Sequence, residues 1–277
     1  MTIDAHVHLW RLNRGDNVAL SPSMKAIYMD REPADLKLRI DSANVERVVV
    51  VQAAETLAET LFIIGLARRF TWMAGIVAWI ELSSPAIEEE VAALTWNSVV
   101  KGVRPVRDDN RTIAWMLDSR LEQGLRTLQD NALSFDILVQ DWREIPLATR
   151  LAKLWPGLLF VLDHCGKPDI ANHVFDPWTR HIDELASLPN VVCKLSGLLN
   201  CARPGAGAKD VEVYAKRVLR AFGPSRVMWA SDWPPLDLAS DYATWKRISE
   251  LILQPLPSVQ RDAVMAGTAM RVYQLSS

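Results

Sequence analysis

Arg47-Val48-Val49-Val50-Val51-Gln52 is an unbroken β-branched run with polar ends. A strand with one face in water alternates apolar and polar residues. A strand covered on both faces does not, and such strands belong to parallel sheets flanked by helices. Working outward, short apolar runs of this kind recur. Strands are predicted at the start of MTIDAHVHLW (1–10) and at 73–80, 98–104, 134–140, 158–163, 191–195 and 226–230. Helical patterns lie between them, at 34–43, at 57–70, after Ser83-Ser84-Pro85, along the stripe Leu117, Leu121, Leu125 and Leu128, and up to about Leu154. Two more follow at 177–188 and over Val211, Tyr214, Ala215, Val218, Leu219 and Phe222, which keep a 3.6-residue period. Ser84 is expected to cap its helix, Pro85 to take the first helical position, and Glu88 to Glu90 to favour the N-terminal turn. Two further helices follow the last strand. Eight strand-then-helix units in one series predict an α/β chain forming one (β/α)8 barrel over residues 1–277, with extra C-terminal helices. An open doubly wound sheet is the alternative, but no glycine-rich phosphate turn follows the first strand.

Composition narrows the function classes. The 277 residues are 49% apolar and 23% charged with a net charge of −2, so no basic footprint for nucleic acid or an anionic membrane is present. No apolar stretch is long enough to span a bilayer, and no basic segment leads into an apolar one as in a secretory signal. The three cysteines, Cys165, Cys193 and Cys201, lack paired spacing and read as reduced, buried residues. The expectation is a cytoplasmic protein with a small-molecule substrate and no nucleic-acid or membrane partner. The 11 tryptophans fit either a core or an interface and leave the oligomeric state open.

The polar residues at strand ends carry the chemistry, because a (β/α)8 barrel builds its site at the C-terminal ends of its strands. His6 and His8 end the first strand, and i, i+2 spacing sends both imidazoles to one face. Glu81 follows strand 3, Arg104 strand 4, Gln140 and Asp141 strand 5, Asp163 and His164 strand 6, Lys194 and Ser196 strand 7, and Ser231 and Asp232 strand 8. The set His6, His8, His164 and Asp232 has the ligand chemistry of one divalent metal, zinc best, with an open position for water. Asp232 is the candidate general base and His164 the candidate donor to a developing oxyanion. Arg104 and Arg107 are candidates to grip a substrate carboxylate, with a structural ion pair as the plainer reading of Arg104. Lys194 would contact substrate if it points inward, and Trp233 would wall the pocket or simply pack. His173 and His181 fall in a loop and on a helix and read as solvated.

The segments DAHVHLW, VVVQAA, KGVRP, FDILVQ, FVLDHCGKP, NVVCKLSGL and ASDWP, in this order, resemble the amidohydrolase superfamily, and within it the lactonase branch. That branch includes sugar lactonases, 2-pyrone-4,6-dicarboxylate lactonase and sulfomuconolactone hydrolase. The resemblance implies a distorted barrel that hydrolyses a cyclic ester or amide, with His6 and His8 as the first-strand pair, His164 as the sixth-strand histidine and Asp232 as the eighth-strand aspartate. Two-metal members add a lysine on strand 4 and a histidine on strand 5. Here those strands end in Gly102-Val103-Arg104 and Val139-Gln140-Asp141, so the resemblance implies at most one metal, and the branch includes metal-independent members. Departures from the sugar-lactonase pattern gather in the substrate shell: Pro105 replaces a histidine, Glu81 an aspartate, Thr268 an asparagine, and Asp141-Trp142 a basic residue and histidine. A sugar-acid lactone such as L-fucono- or L-rhamnono-lactone is the expected substrate. The alternatives are a muconolactone or pyrone-dicarboxylate type lactone, a metal-dependent decarboxylation of an aromatic or enol acid on the same fold, and a barrel that binds a sugar acid without turning it over.

Overall fold

A computed structural model describes residues 1–105 and 113–276. Eight parallel strands form one sheet in the order of the sequence: β1 Ile3–Val7, β2 Arg47–Val51, β3 Met73–Ala78, β4 Val100–Val103, β5 Ser134–Ile137, β6 Phe160–Leu162, β7 Val191–Leu195 and β8 Val227–Trp229. Helices α1 Pro33–Ser42, α2 Leu57–Ala67, α3 Ile87–Thr95, α4 Glu122–Asp130, α5 Ile145–Leu154, α6 Trp178–Ala186 and α7 Ala208–Phe222 connect successive strands, and α8 Tyr242–Leu253 follows β8. The chain then runs through α9 Ser258–Asp262, a π turn at Ala263–Gly267 and α10 Thr268–Val272. The predicted (β/α)8 barrel with additional C-terminal helices is the fold.

The barrel is distorted at its seam. No regular ladder joins β1 to β8. Instead Val7 bridges Trp233, four residues beyond the last strand, with His8 N–H donating to the Trp233 carbonyl at 2.8 Å and Asp232 N–H to the His6 carbonyl at 3.0 Å. The Asp4 carboxylate fills the rest, accepting from Ser231 N–H at 2.9 Å and from the Tyr242 hydroxyl at 2.7 Å. The seam therefore holds the ends of β1 and β8 against each other.

Two apolar layers follow from strand alternation. Val49, Val51, Val77, Val161 and Val192 face the barrel interior, where they meet Ala266, Ala269, Val272 and Tyr273 of the C-terminal segment. Neighbouring residues such as Val48, Val50, Phe160 and Leu162 face outward and pack under the helices. The C-terminal helices thus plug the barrel. β1 is the exception to strict alternation. Ile3 and Ala5 face inward but Val7 faces outward, and a register irregularity lies between Asp4 and Val7. Bulges of this kind re-aim side chains beside active sites; this one turns His6 and His8 inward.

Two boundaries differ from the sequence reading in an informative way. Helix α3 starts at Ile87 with no side-chain cap, because Ser84 Oγ is engaged with Ala86 N–H and the Glu90 carboxylate in a turn ahead of it. Strands 3 to 6 and 8 end one to three residues earlier than apolar content suggested, since the residues beyond them leave the ladder for the mouth.

Candidate active site

The bulge in β1 places His6 and His8 with their Nε2 atoms 3.0 Å apart. Asp232 Oδ1 lies 3.6 Å from each of these nitrogens and 3.8 Å from His164 Nε2. Three imidazoles and one carboxylate from β1 and the turns after β6 and β8 therefore converge on one point. His164, Cys165, Lys167 and Asp232 hold positive φ angles of 51°, 54°, 47° and 60°. Each such non-glycine residue costs roughly 1–2 kcal/mol, and strain of this kind persists where surrounding structure enforces it, commonly at functional sites. The left-handed turn after β6 is what swings His164 over the mouth instead of letting the strand continue.

Each histidine is oriented by a further contact. His8 Nδ1 donates to the Val51 carbonyl at 2.9 Å, which leaves its Nε2 lone pair facing the site. His164 Nδ1 lies 2.9 Å from Ser196 Oγ. Gly197, at φ +69°, lets the chain pass so close beneath His164 that an added Cβ would sit 2.6 Å from the His164 Cβ. His6 Nδ1 faces Lys194 Nζ at 3.1 Å and Asp163 Oδ1 at 3.3 Å. Burial, with the Lys194 charge adding to it, pushes the His6 imidazole well below its usual range, and burial also lowers His164. Both rings are therefore neutral near pH 7. Burial alone would raise the Asp232 carboxyl, but the facing His164 and the contacts to His8 and His6 outweigh it and hold it below the ordinary carboxylate range. The site presents an ionised carboxylate beside neutral imidazoles.

This donor set fits a single divalent ion. His6, His8 and Asp232 offer nitrogen and oxygen atoms within ligand distance of one another, and the alternative set His6, Asp163 and His164 is similarly close. Zinc binds such atoms at about 2.0–2.2 Å in tetrahedral sites, which places ligand atoms roughly 3–3.6 Å apart. The separations of 3.0 and 3.6 Å match that spacing.

The expected substrate-contacting residues divide. Arg104 donates to the Gln52 carbonyl at 2.7 Å and approaches His6 Nε2 at 3.3 Å and Asp163 Oδ2 at 3.4 Å. It is buried, and its guanidinium is committed to the site's own frame. Lys194 points inward as one alternative required, yet it has no exposed surface. Its ammonium is bound to Asp136 Oδ2 at 2.6 Å and Asp163 Oδ1 at 3.0 Å. Leaving a buried charge unpaired costs about 3–5 kcal/mol, more than the roughly 0.5–1.5 kcal/mol of a new hydrogen bond to substrate. Lys194 therefore takes a buried, ion-paired place under His6. Trp233 is also fully buried. Its Nε1 donates to Asp237 Oδ2 at 3.2 Å, and the Arg39 and Arg31 guanidiniums lie over the ring at 4.9 and 5.5 Å, so it packs the seam and does not wall an open pocket. Arg107 lies outside the described residues.

Asp136, Asp4 and Tyr273 escaped the sequence reading as parts of the site's frame. Asp136 accepts from the Tyr273 hydroxyl at 2.7 Å and from Ser134 Oγ at 2.9 Å, in addition to Lys194. A signal for it existed: an aspartate inside the apolar run FDILV and a lysine inside VVCKL are each untenable in a buried strand unless they find one another.

Comparison with known proteins agrees with this geometry. The family model described as Amidohydrolase matches residues 3–275. The chain belongs to the amidohydrolase family. It is 35% identical to an L-fucono-1,5-lactonase of Burkholderia ambifaria, over 99% of this chain and 95% of that protein. An L-fucono-1,5-lactonase of Burkholderia multivorans is 33% identical over 99% of this chain and 96% of its own length. A crystal structure of a Burkholderia multivorans amidohydrolase with bound zinc superposes with a TM-score of 0.93 at 32% identity, covering 100% of both chains. Among the described residues of this amidohydrolase, no helix is long and apolar enough to cross a membrane, and its three cysteines are free.

Proposed function

We propose that this amidohydrolase is a lactonase that opens the ring of a sugar-acid lactone of the L-fucono-1,5-lactone type in the cytoplasm. The observation that carries the reading is the convergence of His6, His8 and His164 on Asp232 Oδ1 at 3.6 to 3.8 Å. An ionised carboxylate beside the neutral His6 and His164 imidazoles is suited to taking a proton from water while stabilising charge on a carbonyl oxygen. The substrate class follows from likeness to the two L-fucono-1,5-lactonases.

In this scheme the lactone carbonyl lies over the His6–His8 pair. Asp232 accepts a proton from the attacking water as the oxygen bonds to the carbonyl carbon. His164 donates from Nε2 to the developing oxyanion, which calls for the Ser196 hydroxyl, 2.9 Å from Nδ1, to act as the donor of that pair. The acyl–oxygen bond then breaks, and the proton held by Asp232 passes to the leaving alkoxide. The product is a hydroxy acid, which ionises and releases one proton to solution. His6, His8 and Asp232 would hold a zinc ion, which when bound supplies Lewis-acid polarisation and a more acidic water.

The test is proton release in weak buffer from L-fucono-, L-rhamnono-, galactono- and galactaro-lactones, a muconolactone and pyrone dicarboxylate, with and without a chelator. Rapid acid release from a sugar-acid lactone is expected. Silence across the panel from folded protein, or release of carbon dioxide from an aromatic acid, would overturn the reading.

A further inference from the structure

We infer that Lys167 is a substrate-binding residue whose ammonium pairs with the carboxylate that ring opening creates. Lys167 stands in the segment FVLDHCGKP, three residues beyond His164. It closes the same left-handed turn, and its N–H donates to the His164 carbonyl at 2.9 Å. His164, Cys165, Gly166 and Lys167 all hold positive φ angles, from 47° to 67°. The reversal that swings His164 over the mouth therefore carries Lys167 with it.

The side chain of Lys167 is half-buried. Among the described residues its ammonium has no ion pair and no hydrogen bond. It is nevertheless close to the chemistry. The Asp232 and Asp163 carboxylates, the Arg104 guanidinium and the Cys201 thiol all act on it, and it acts in turn on His164. The other two cations of the mouth are occupied. Lys194 is bound to Asp136 and Asp163, and Arg104 to the Gln52 carbonyl and Asp163. Neither can turn to a ligand without abandoning a buried carboxylate, which is strongly destabilising. Lys167 gives up no partner when it meets one.

The proposed reaction supplies the missing anion, and the inference rests on that reading for its identity. A sugar-acid lactone is neutral, whereas the hydroxy acid it becomes carries a carboxylate at the former carbonyl carbon. That carbon lies within reach of Asp232 during attack by water. The mouth already holds the Asp232 and Asp163 carboxylates, so a further anion there needs a cation beside it. An ammonium with all its donors unused meets the need through a charge-assisted hydrogen bond. Lys167 therefore holds the ring-opened acid more strongly than the lactone.

The test is calorimetric binding of sodium L-fuconate, the ring-opened form of L-fucono-1,5-lactone, and of L-fucitol, a neutral polyol that keeps its hydroxyls. Wild type, Lys167→Met and Lys167→Arg are compared at low and high salt. Fuconate is expected to bind Lys167→Met about tenfold or more weakly, the scale of one hydrogen bond to a charged group, and Lys167→Arg within about threefold of wild type. Fucitol binding should be the same in all three, and the salt dependence of fuconate binding should be smaller in Lys167→Met than in wild type. Unchanged fuconate binding in Lys167→Met, an equal loss for fuconate and fucitol, or no fuconate binding by wild type would overturn the inference. Lys167→Gln replaces Lys167→Met should the latter not fold. If neither folds, wild type decides alone: fuconate bound no more tightly than fucitol overturns the inference. No lactone is consumed in these measurements. Proton release from the lactone panel judges the lactonase reading and fuconate binding judges Lys167, so each can fail without the other.

Discussion

Gly197→Ala separates catalytic geometry from mere stability. Gly197 has φ +69°, and an alanine Cβ there would lie 2.6 Å from His164 Cβ, 3.0 Å from Cγ and 3.3 Å from Nδ1. Ordinary contact begins near 3.4 Å, so the imidazole must retreat by about 0.8 Å or the loop must move by as much. Forcing alanine into a left-handed conformation costs roughly 1–2 kcal/mol. In a chain of this size each kcal/mol lowers Tm by about 2–4 °C. The displacement acts on catalysis separately. A misplacement of about 1 Å can cost on the order of 100-fold in rate, and here it falls on the proposed oxyanion donor. The control is Gly15→Ala, because Gly15 has the same φ of 69° with nothing within 4 Å of the added Cβ. Both variants should lose the stability that the left-handed backbone costs, as read by calorimetry, with Gly197→Ala losing more because its Cβ also collides with His164. Only Gly197→Ala should lose roughly 100-fold in kcat on the active lactone. Equal kcat losses in the two, or full activity in Gly197→Ala, would refute the placement of His164 in the chemistry.

Three further outcomes are expected. Asp232→Asn should reduce turnover by at least about 100-fold, the scale of positioned acid–base transfer, with an unchanged circular dichroism spectrum; near-full lactone hydrolysis would remove Asp232 as the base. Ser196→Ala deletes one hydrogen bond to His164, worth about 1 kcal/mol, and should lower kcat roughly tenfold or less while KM holds, as read from initial rates. Glu59 is pushed up to about 7 by burial, against the pull of Ala53 N–H and Arg14. The native state therefore keeps a proton that the unfolded chain has released, and stability falls as pH rises from about 4.5 to 7, by up to roughly 3 kcal/mol. Glu59→Gln should flatten the decline of Tm over that window, and an unaltered decline would exonerate Glu59.

Much of the site was legible because its chemistry is local. The i, i+2 spacing of His6 and His8 placed both rings on one face, and the valine run of β2 announced a two-sided parallel sheet. What the sequence withheld depended on distant partners. Lys194 and Asp136 lie 58 positions apart, and nothing in either strand states that they pair. The fate of Trp233 turned on the seam, where a residue beyond β8 replaces a strand partner of β1. Strands 6 and 8 were read one residue too long, to Asp163 and Ala230, whereas the chain leaves the sheet at those residues and turns through left-handed backbone at His164, Cys165 and Asp232. Such reversals need tertiary support and leave no periodic trace.

The seam between β1 and residues 231–233 also has a kinetic meaning. Asp4 meets Ser231 and Tyr242, His6 meets Asp232, and Asp136 meets Tyr273, so contacts spanning nearly the whole chain complete the active centre. Contacts this remote in sequence close late, after the loop entropy of the intervening chain has been overcome. During refolding, helical signal should return well before lactone turnover, and the lag between them would time the closing of the ring of strands.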